Sequence, residues 1–236
     1  MENLFKKDLY WNVIHPKLIK PTILIDCGHG GLNDKEIYVT PGKRSRHPVD
    51  GKFWYEGHEM RILGKEWAKI LRSFGYKVKF VVDPDDYTDV PLRQRSQIAN
   101  ELHQKEYCIL ASLHTNADSD SSPRPGAAHG HEVYTSPGIT PSDHWAKFWI
   151  HQFKRSYFGD TRIRKDLSDG FPDKEAFFHM VTRTAMPAIL LEMDFHTNDE
   201  AVRRMRLWNW KFKSALAFSR SCNMFTQYLN NEKIIR

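Results

Sequence analysis

The chain has 236 residues, 40% hydrophobic and 27% charged, ordinary values for a soluble globular protein with a core of useful size. That length suits one α/β domain, although length alone leaves two small domains open. The formal net charge of +6 favours polyanions such as nucleic acid or an anionic cell envelope. No zinc-finger spacing or aromatic RNA-binding signature accompanies it, so no specific nucleic-acid partner is expected.

Three cysteines, Cys27, Cys108 and Cys222, are odd in number and widely spaced, with no CxxC pair. They argue against a disulfide framework and for synthesis in a reducing compartment. Met1 to Lys20 has neither the apolar core nor the small-residue cleavage site of a Sec signal peptide. No run is long enough for a transmembrane helix. The expectation is synthesis in the cytoplasm, with another agent delivering the protein to any substrate outside it.

Taken in chain order, the first apolar, β-branched run is Thr22–Asp26, which predicts a strand. A long Gly-, Pro- and charge-rich loop follows over Asn33–Tyr55. Loops of that length in a compact domain are functional or disordered. Gly57–Phe74 carries Ile62, Trp67, Ile70 and Leu71 at helical spacing and stops before Gly75. A strand is predicted over Lys77–Val82, a helix opening on a proline over Pro91–Gln104, and strands over Tyr107–Leu113 and His131–Thr135. Ser142–Tyr157 puts Trp145, Phe148, Trp149 and Phe153 on one stripe, read as core. A fifth strand over Ala188–Glu192 precedes a long helical region, Asp199–Tyr228, broken about once. Near-continuous apolar strands alternating with helices predict a single α/β domain, with a largely parallel sheet flanked by helices on both faces. The catalytic domain is expected over 21–230, after an N-terminal extension of 1–20 and before a tail of 231–236.

Open α/β sheets bind ligands beyond the carboxyl ends of their strands. Asp26-Cys27-Gly28-His29-Gly30-Gly31 follows the first strand, His114-Thr115-Asn116 the third, and the last strand ends on Glu192. Two imidazoles and a carboxylate at neighbouring strand ends are the donor types of a hydrolytic zinc site, which needs three protein ligands and one open position. Singly, each residue reads as well as a turn, a structural histidine or a paired acid. Cys27, two residues from His29, reads as a core cysteine.

Five ordered segments then make a resemblance plain. They are Ile25-Asp26-Cys27-Gly28-His29-Gly30-Gly31; Leu92, Arg95, Ala99 and Asn100; Ser112-Leu113-His114-Thr115-Asn116-Ala117; Gly130-His131-Glu132-Val133-Tyr134; and Met186-Pro187-Ala188 with Leu190, Glu192, Phe195 and Asn198. From about Pro21 to Tyr228 the chain resembles the zinc-dependent N-acetylmuramoyl-L-alanine amidases of the cell-separation type. Cysteine stands at position 27 where proline is usual. The resemblance implies one zinc per chain on His29, Glu56 and His114, a catalytic Glu192, and peptidoglycan as substrate.

Glu59 competes with Glu56, since three residues apart they share a helix face. In the family it resembles, the ligand lies about five turns of helix before the glycine that ends it, and counting back from Gly75 this implies Glu56. Met60 and Arg61 replace the asparagine and leucine usual after that ligand. The resemblance also implies a mechanism in which zinc activates water and Glu192 moves the proton, with Asn116 beside the developing oxyanion.

The loop is longer than in the cell-separation enzymes. Thr40 to Ser45 and Tyr55-Glu56-Gly57 look more like a phage-associated branch, whose enzyme a holin would release to act in the periplasm or cell wall of the infected host. A secreted toxin delivered by machinery also fits. Lys43 and Arg44 either hold acidic groups of the stem peptide or are simply solvated. The competing functions are a zinc peptidase of peptidoglycan cross-links and a non-catalytic peptidoglycan- or polyanion-binding module. All four expected site positions are occupied, which argues against the second.

Overall fold

Side-chain alternation along β1 (Thr22–Cys27) sends Ile23, Ile25 and Cys27 into one apolar cluster and Leu24 into another. β3 (Cys108–Asn116) divides in the same way, with Ile109, Ala111 and Leu113 on one side and Cys108 and Leu110 on the other. Both faces of these strands are therefore covered, as near-continuous apolar runs require. The computed structural model describes residues 18–119, 124–156 and 162–235. The expected extension at 1–20 lies mostly outside the described residues.

The remaining elements are α1 (Glu56–Ser73), β2 (Val78–Phe80), α2 (Leu92–Lys105), β4 (Glu132–Thr135), α3 (Pro141–Arg155), β5 (Lys174–Glu175), α4 (His179–Thr182), β6 (Ala188–Phe195), α5 (Asp199–Arg206) and α6 (Trp208–Asn231). Among the described residues the strands form one six-stranded sheet in the order β2-β1-β3-β6-β4-β5. β2, β1, β3 and β6 run parallel, and β4 runs antiparallel to β6. The single, largely parallel α/β domain is as expected. α1, α3, α5 and α6 cover the larger cluster, built around Trp67, Trp145, Trp149 and Phe218. α2 and α4 cover the smaller.

Two short elements, β5 and α4, go beyond the sequence reading, because two and four residues are too few to show a period. His131 lies just outside β4, in an isolated bridge to Ile163. The terminal helical region does break once, at Leu207, whose backbone is extended (φ −64°, ψ 129°). Asn100 accepts from Ala185 N–H and donates to Arg183 C=O, tying α2 to the segment that leads into β6. The long loop is ordered: Trp54 and Val49, each 1% exposed, anchor it in the core. The expected tail begins at the end of α6, and Ile235 returns to the core at 5% exposure. No helix of the described residues is long and apolar enough to cross a membrane.

A buried acid pair braces β4 against α3. Thr135 Oγ1 lies 3.0 Å from Asp143 and 2.6 Å from Asp173. The hydroxyl carries one proton, so it donates to one carboxylate and accepts from the other only when that acid is protonated. Burial, reinforced by the Asp143 charge and only partly offset by Thr135, pushes Asp173 up to about 7 from its ordinary 3.8. A raised folded-state pKa contributes stability that is full below about pH 4 and is lost as pH rises through about 7. Asp173→Asn removes that ionisation, so its gain in Tm over the wild type should be larger at pH 8 than at pH 5. Thermal melts at the two pH values check this; equal shifts would count against it.

Candidate active site

The site is built outward from the end of β1. Gly28 N–H still bonds Leu113 C=O, and the next residue, His29, turns into the left-handed region at φ 61°. For a residue with a Cβ that costs about 1–3 kcal/mol. Two arginines hold it there. His29 C=O accepts from Arg61 Nη1 at 2.8 Å and from Arg95 Nη2 at 2.9 Å. Arg95 is 1% exposed. Its other bonds go to Asp26 (2.8 Å), Cys27 C=O (2.5 Å) and Val90 C=O (2.7 Å), and Ser112 supports Asp26 from β3 at 2.7 Å. Removing one partner of such a buried pair costs about 3–5 kcal/mol.

α1 meets this turn at its first residue. Glu56 N–H bonds Lys43 C=O, and Gly57 N–H bonds the Tyr38 hydroxyl, so the loop caps the helix. The approach requires glycine twice. A Cβ on Gly57 would stand 2.0 Å from Gly30 C=O, and one on Gly28 would stand 2.2 Å from the His114 ring. With both present, the Glu56 carboxylate reaches the strand ends. Its Oε1 lies 3.0 Å from His114 Nδ1, 3.1 Å from Thr115 N–H and 3.4 Å from His29 Nε2. One ligand atom from each of His29, Glu56 and His114 falls within 4.8 Å of the others. Burial alone would raise the Glu56 carboxyl, but the hydrogen bonds from His114 and His29 outweigh it and hold the group well below the usual carboxylate range. Two imidazoles and one ionised carboxylate at this separation fit a three-ligand zinc site. The histidines border a cleft of about 250 Å³ walled by Val90, Pro91 and Leu92.

Glu192 stands on β6 directly beside His114 on β3, and Glu132 on β4 stands beside Glu192 on its other side. Residues paired in register share a sheet face, so the three form a row across neighbouring strands. Glu192 Oε2 is buried without a hydrogen-bond partner among the described residues. Burial first, then the charges of Glu56 and Glu132, push Glu192 up to about 8, against the pull of His114 and Lys43. A carboxyl so placed can hold a proton near neutrality.

The other predicted residues are placed as follows. Glu59 turns away from the cluster toward Lys211 Nζ at 3.4 Å. Asn116 donates to Glu132 at 3.0 Å. Lys43 and Arg44 are exposed on the loop, with the Arg44 guanidinium 4.6 Å above the Phe53 ring. Cys27 is buried with its thiol pushed up to about 12 by that burial, so it is no nucleophile.

Sequence reasoning missed several neighbours. His196, 3.9 Å from Glu56, follows β6 at once, and inspecting one turn past the strand end would have found it. Arg61 is one of the residues at which the chain departs from the usual pattern, and it serves as half of the clamp on His29. Arg164, in irregular chain, and Lys174, on the two-residue β5, both bind Glu132, and neither stretch is long enough to carry a periodic signal.

An α/β domain with a His–Glu–His cluster and a buried, unpartnered glutamate oxygen at the carboxyl ends of parallel strands belongs to the class of hydrolases. Residues 23–222 match the family model described as N-acetylmuramoyl-L-alanine amidase. The chain is thus a member of the N-acetylmuramoyl-L-alanine amidase family, and it is an enzyme. Known structures agree in fold. The amidase from Clostridium difficile 630 is 25% identical with a TM-score of 0.66, the match covering 90% of this chain and 98% of that one. AmiC2 of Nostoc punctiforme is 22% identical with a TM-score of 0.64, covering 89% and 99%. The catalytic domain of the CD27L endolysin targeting Clostridia difficile is 17% identical with a TM-score of 0.57, covering 86% and 97%. No curated protein matches in sequence.

Proposed function

We propose that residues 21–230 form a zinc-dependent catalytic domain that hydrolyses the amide bond between N-acetylmuramic acid and L-alanine in peptidoglycan. The observation that carries this reading is the register of Glu192 beside His114, one strand from a cluster whose donors suit zinc. In it, His29, Glu56 and His114 hold the metal. A zinc ion there supplies a Lewis acid that polarises a carbonyl and lowers the pKa of water. Glu192 takes the proton from the water that attacks the lactyl carbonyl, and returns it to the departing alanine nitrogen as the C–N bond breaks. Lys43, Arg44 and Asn116 contact substrate; the Lys43 charge already acts on Glu192.

Muropeptides digested with and without zinc test the bond. Mass spectrometry should find free L-alanine amines and intact lactyl carboxylates, only when metal is present. Cut cross-links with the lactyl amide intact would instead mark a peptidase.

The two glutamates differ in what they hold. Glu56→Ala should lose most of the zinc, whereas Glu59→Ala, which removes only a contact to Lys211, should retain it together with much of the activity. Metal analysis of the purified variants checks the ranking, and its reversal would move the ligand to Glu59.

Glu192→Gln should keep its zinc and lose roughly 10²-fold or more in turnover, the usual worth of general acid–base assistance. Loss of the metal along with activity would make Glu192 a ligand.

We further infer a lysis role in the manner of phage endolysins, with a holin providing passage to the cell wall. The long basic loop and the CD27L fold likeness support it. Expression in the bacterial cytoplasm alone should leave cells intact, and co-expression with a membrane-permeabilising protein should lyse them, read as culture turbidity.

A further inference from the structure

Beyond Glu192 the row of paired residues continues to a buried charge cluster that the chemistry above does not use. Glu132 is 2% exposed and accepts four hydrogen bonds, from Asn116 Nδ2 (3.0 Å), the Tyr134 hydroxyl (2.6 Å), Arg164 Nε (2.5 Å) and Lys174 Nζ (2.9 Å). Two cations share one carboxylate, so the cluster carries surplus positive charge. The cationic side chains remain 33% and 27% exposed while their anchor is buried.

Arg164 is oriented as well as charged. Its Nε is tethered to Glu132 and its guanidinium lies 5.2 Å over the Phe195 ring. Its two η nitrogens have no hydrogen-bond partner among the described residues. A planar guanidinium held at one edge presents a preformed fork, which matches a carboxylate with two parallel bonds. Lys174 adds a second donor from β5, bonded to the same Glu132 oxygen, Oε1, as Arg164 Nε. Adjacent strands stand about 4.8 Å apart, so Glu132 on β4 lies roughly 10 Å from His114 on β3. An extended peptide covers about 3.3 Å per residue, which puts the second or third residue of a stem peptide within reach.

We propose that Arg164 and Lys174, set in place by Glu132, form a subsite for a free carboxylate of the peptide stem and make the enzyme prefer acidic over amidated stems. This rests on the amidase reading and names its substrate class more closely. Glu132 is a positioning residue here, and Arg164 and Lys174 are specificity residues.

The test uses two synthetic muropeptides that differ only in whether the second stem residue carries a free carboxylate or its amide. Wild type should favour the acid in kcat/KM. Arg164→Gln should raise KM for the acid about tenfold, the scale of one charged hydrogen-bonded contact. The rise should be at least fivefold greater for the acid than for the amide. Lys174→Gln should do the same more weakly, and Arg164→Lys should restore part of the preference. Thermal melts accompany each variant, and Lys174→Gln carries the test if Arg164→Gln does not fold.

Equal losses on both substrates, or a wild type that does not discriminate, would overturn the subsite. Failure of wild type to cleave either substrate would instead overturn the amidase reading. Calorimetric titration of Glu192→Gln with both muropeptides then reads the subsite independently of turnover: tighter binding of the acid supports it, and equal affinities overturn it.

Discussion

The carbonyl of His29 is the point on which the site turns. One oxygen accepts from Arg61 on α1 and from Arg95 on α2, so the two helices that flank β1 meet at the residue whose ring faces the cleft. That double bond to charged donors offsets the cost of the left-handed backbone. It also couples the helix start bearing Glu56 to the strand end bearing His29. Arg95 in turn depends on Asp26, itself braced by Ser112 on β3. The strand that carries His114 and the strand that precedes His29 are thereby locked by one buried network. A network of this kind is costly when half satisfied and rigid when complete, which suits a site whose donors must stay within a few ångströms of one another.

The sheet then arranges the charges. Parallel pairing of β1, β3 and β6 brings three strand ends to the same edge, and the antiparallel return of β4 adds Glu132 to the row. Moving from His29 toward β5, the groups pass from imidazoles to a buried glutamate with a raised pKa to a carboxylate that two cations share. The gradient follows from burial and partner choice. Glu56 has two imidazoles beside it and ionises readily, while Glu192 lies buried between other acids and resists ionisation. Two glutamates of the same intrinsic acidity are pushed apart by their surroundings.

Much of this was legible beforehand. His29, His114 and Glu192 stood out because each follows or ends an apolar run, and ligands of open α/β sheets gather there. The choice between Glu56 and Glu59 was harder, since residues three apart on a helix share a face. In the folded chain their surroundings differ, with Lys43 C=O and the strand ends around Glu56 and Lys211 beside Glu59. Arg61 looked like a departure from pattern, and its part in holding His29 depends on a contact 32 residues away in sequence.

By itself the sequence determined the alternation of strands and helices, the single α/β domain, and which strand ends carry imidazole and carboxylate. Those features rest on local periodicity and on short segments whose residues are neighbours in the chain. Only the tertiary structure decided the antiparallel placement of β4, the row His114–Glu192–Glu132, the clamp on His29 and the pairing of Glu132 with Arg164 and Lys174. Each of these is a choice of partner across the sheet or between loops. The energy of a buried charge depends on which opposite charge lies within a few ångströms, a distance that sequence separation does not encode.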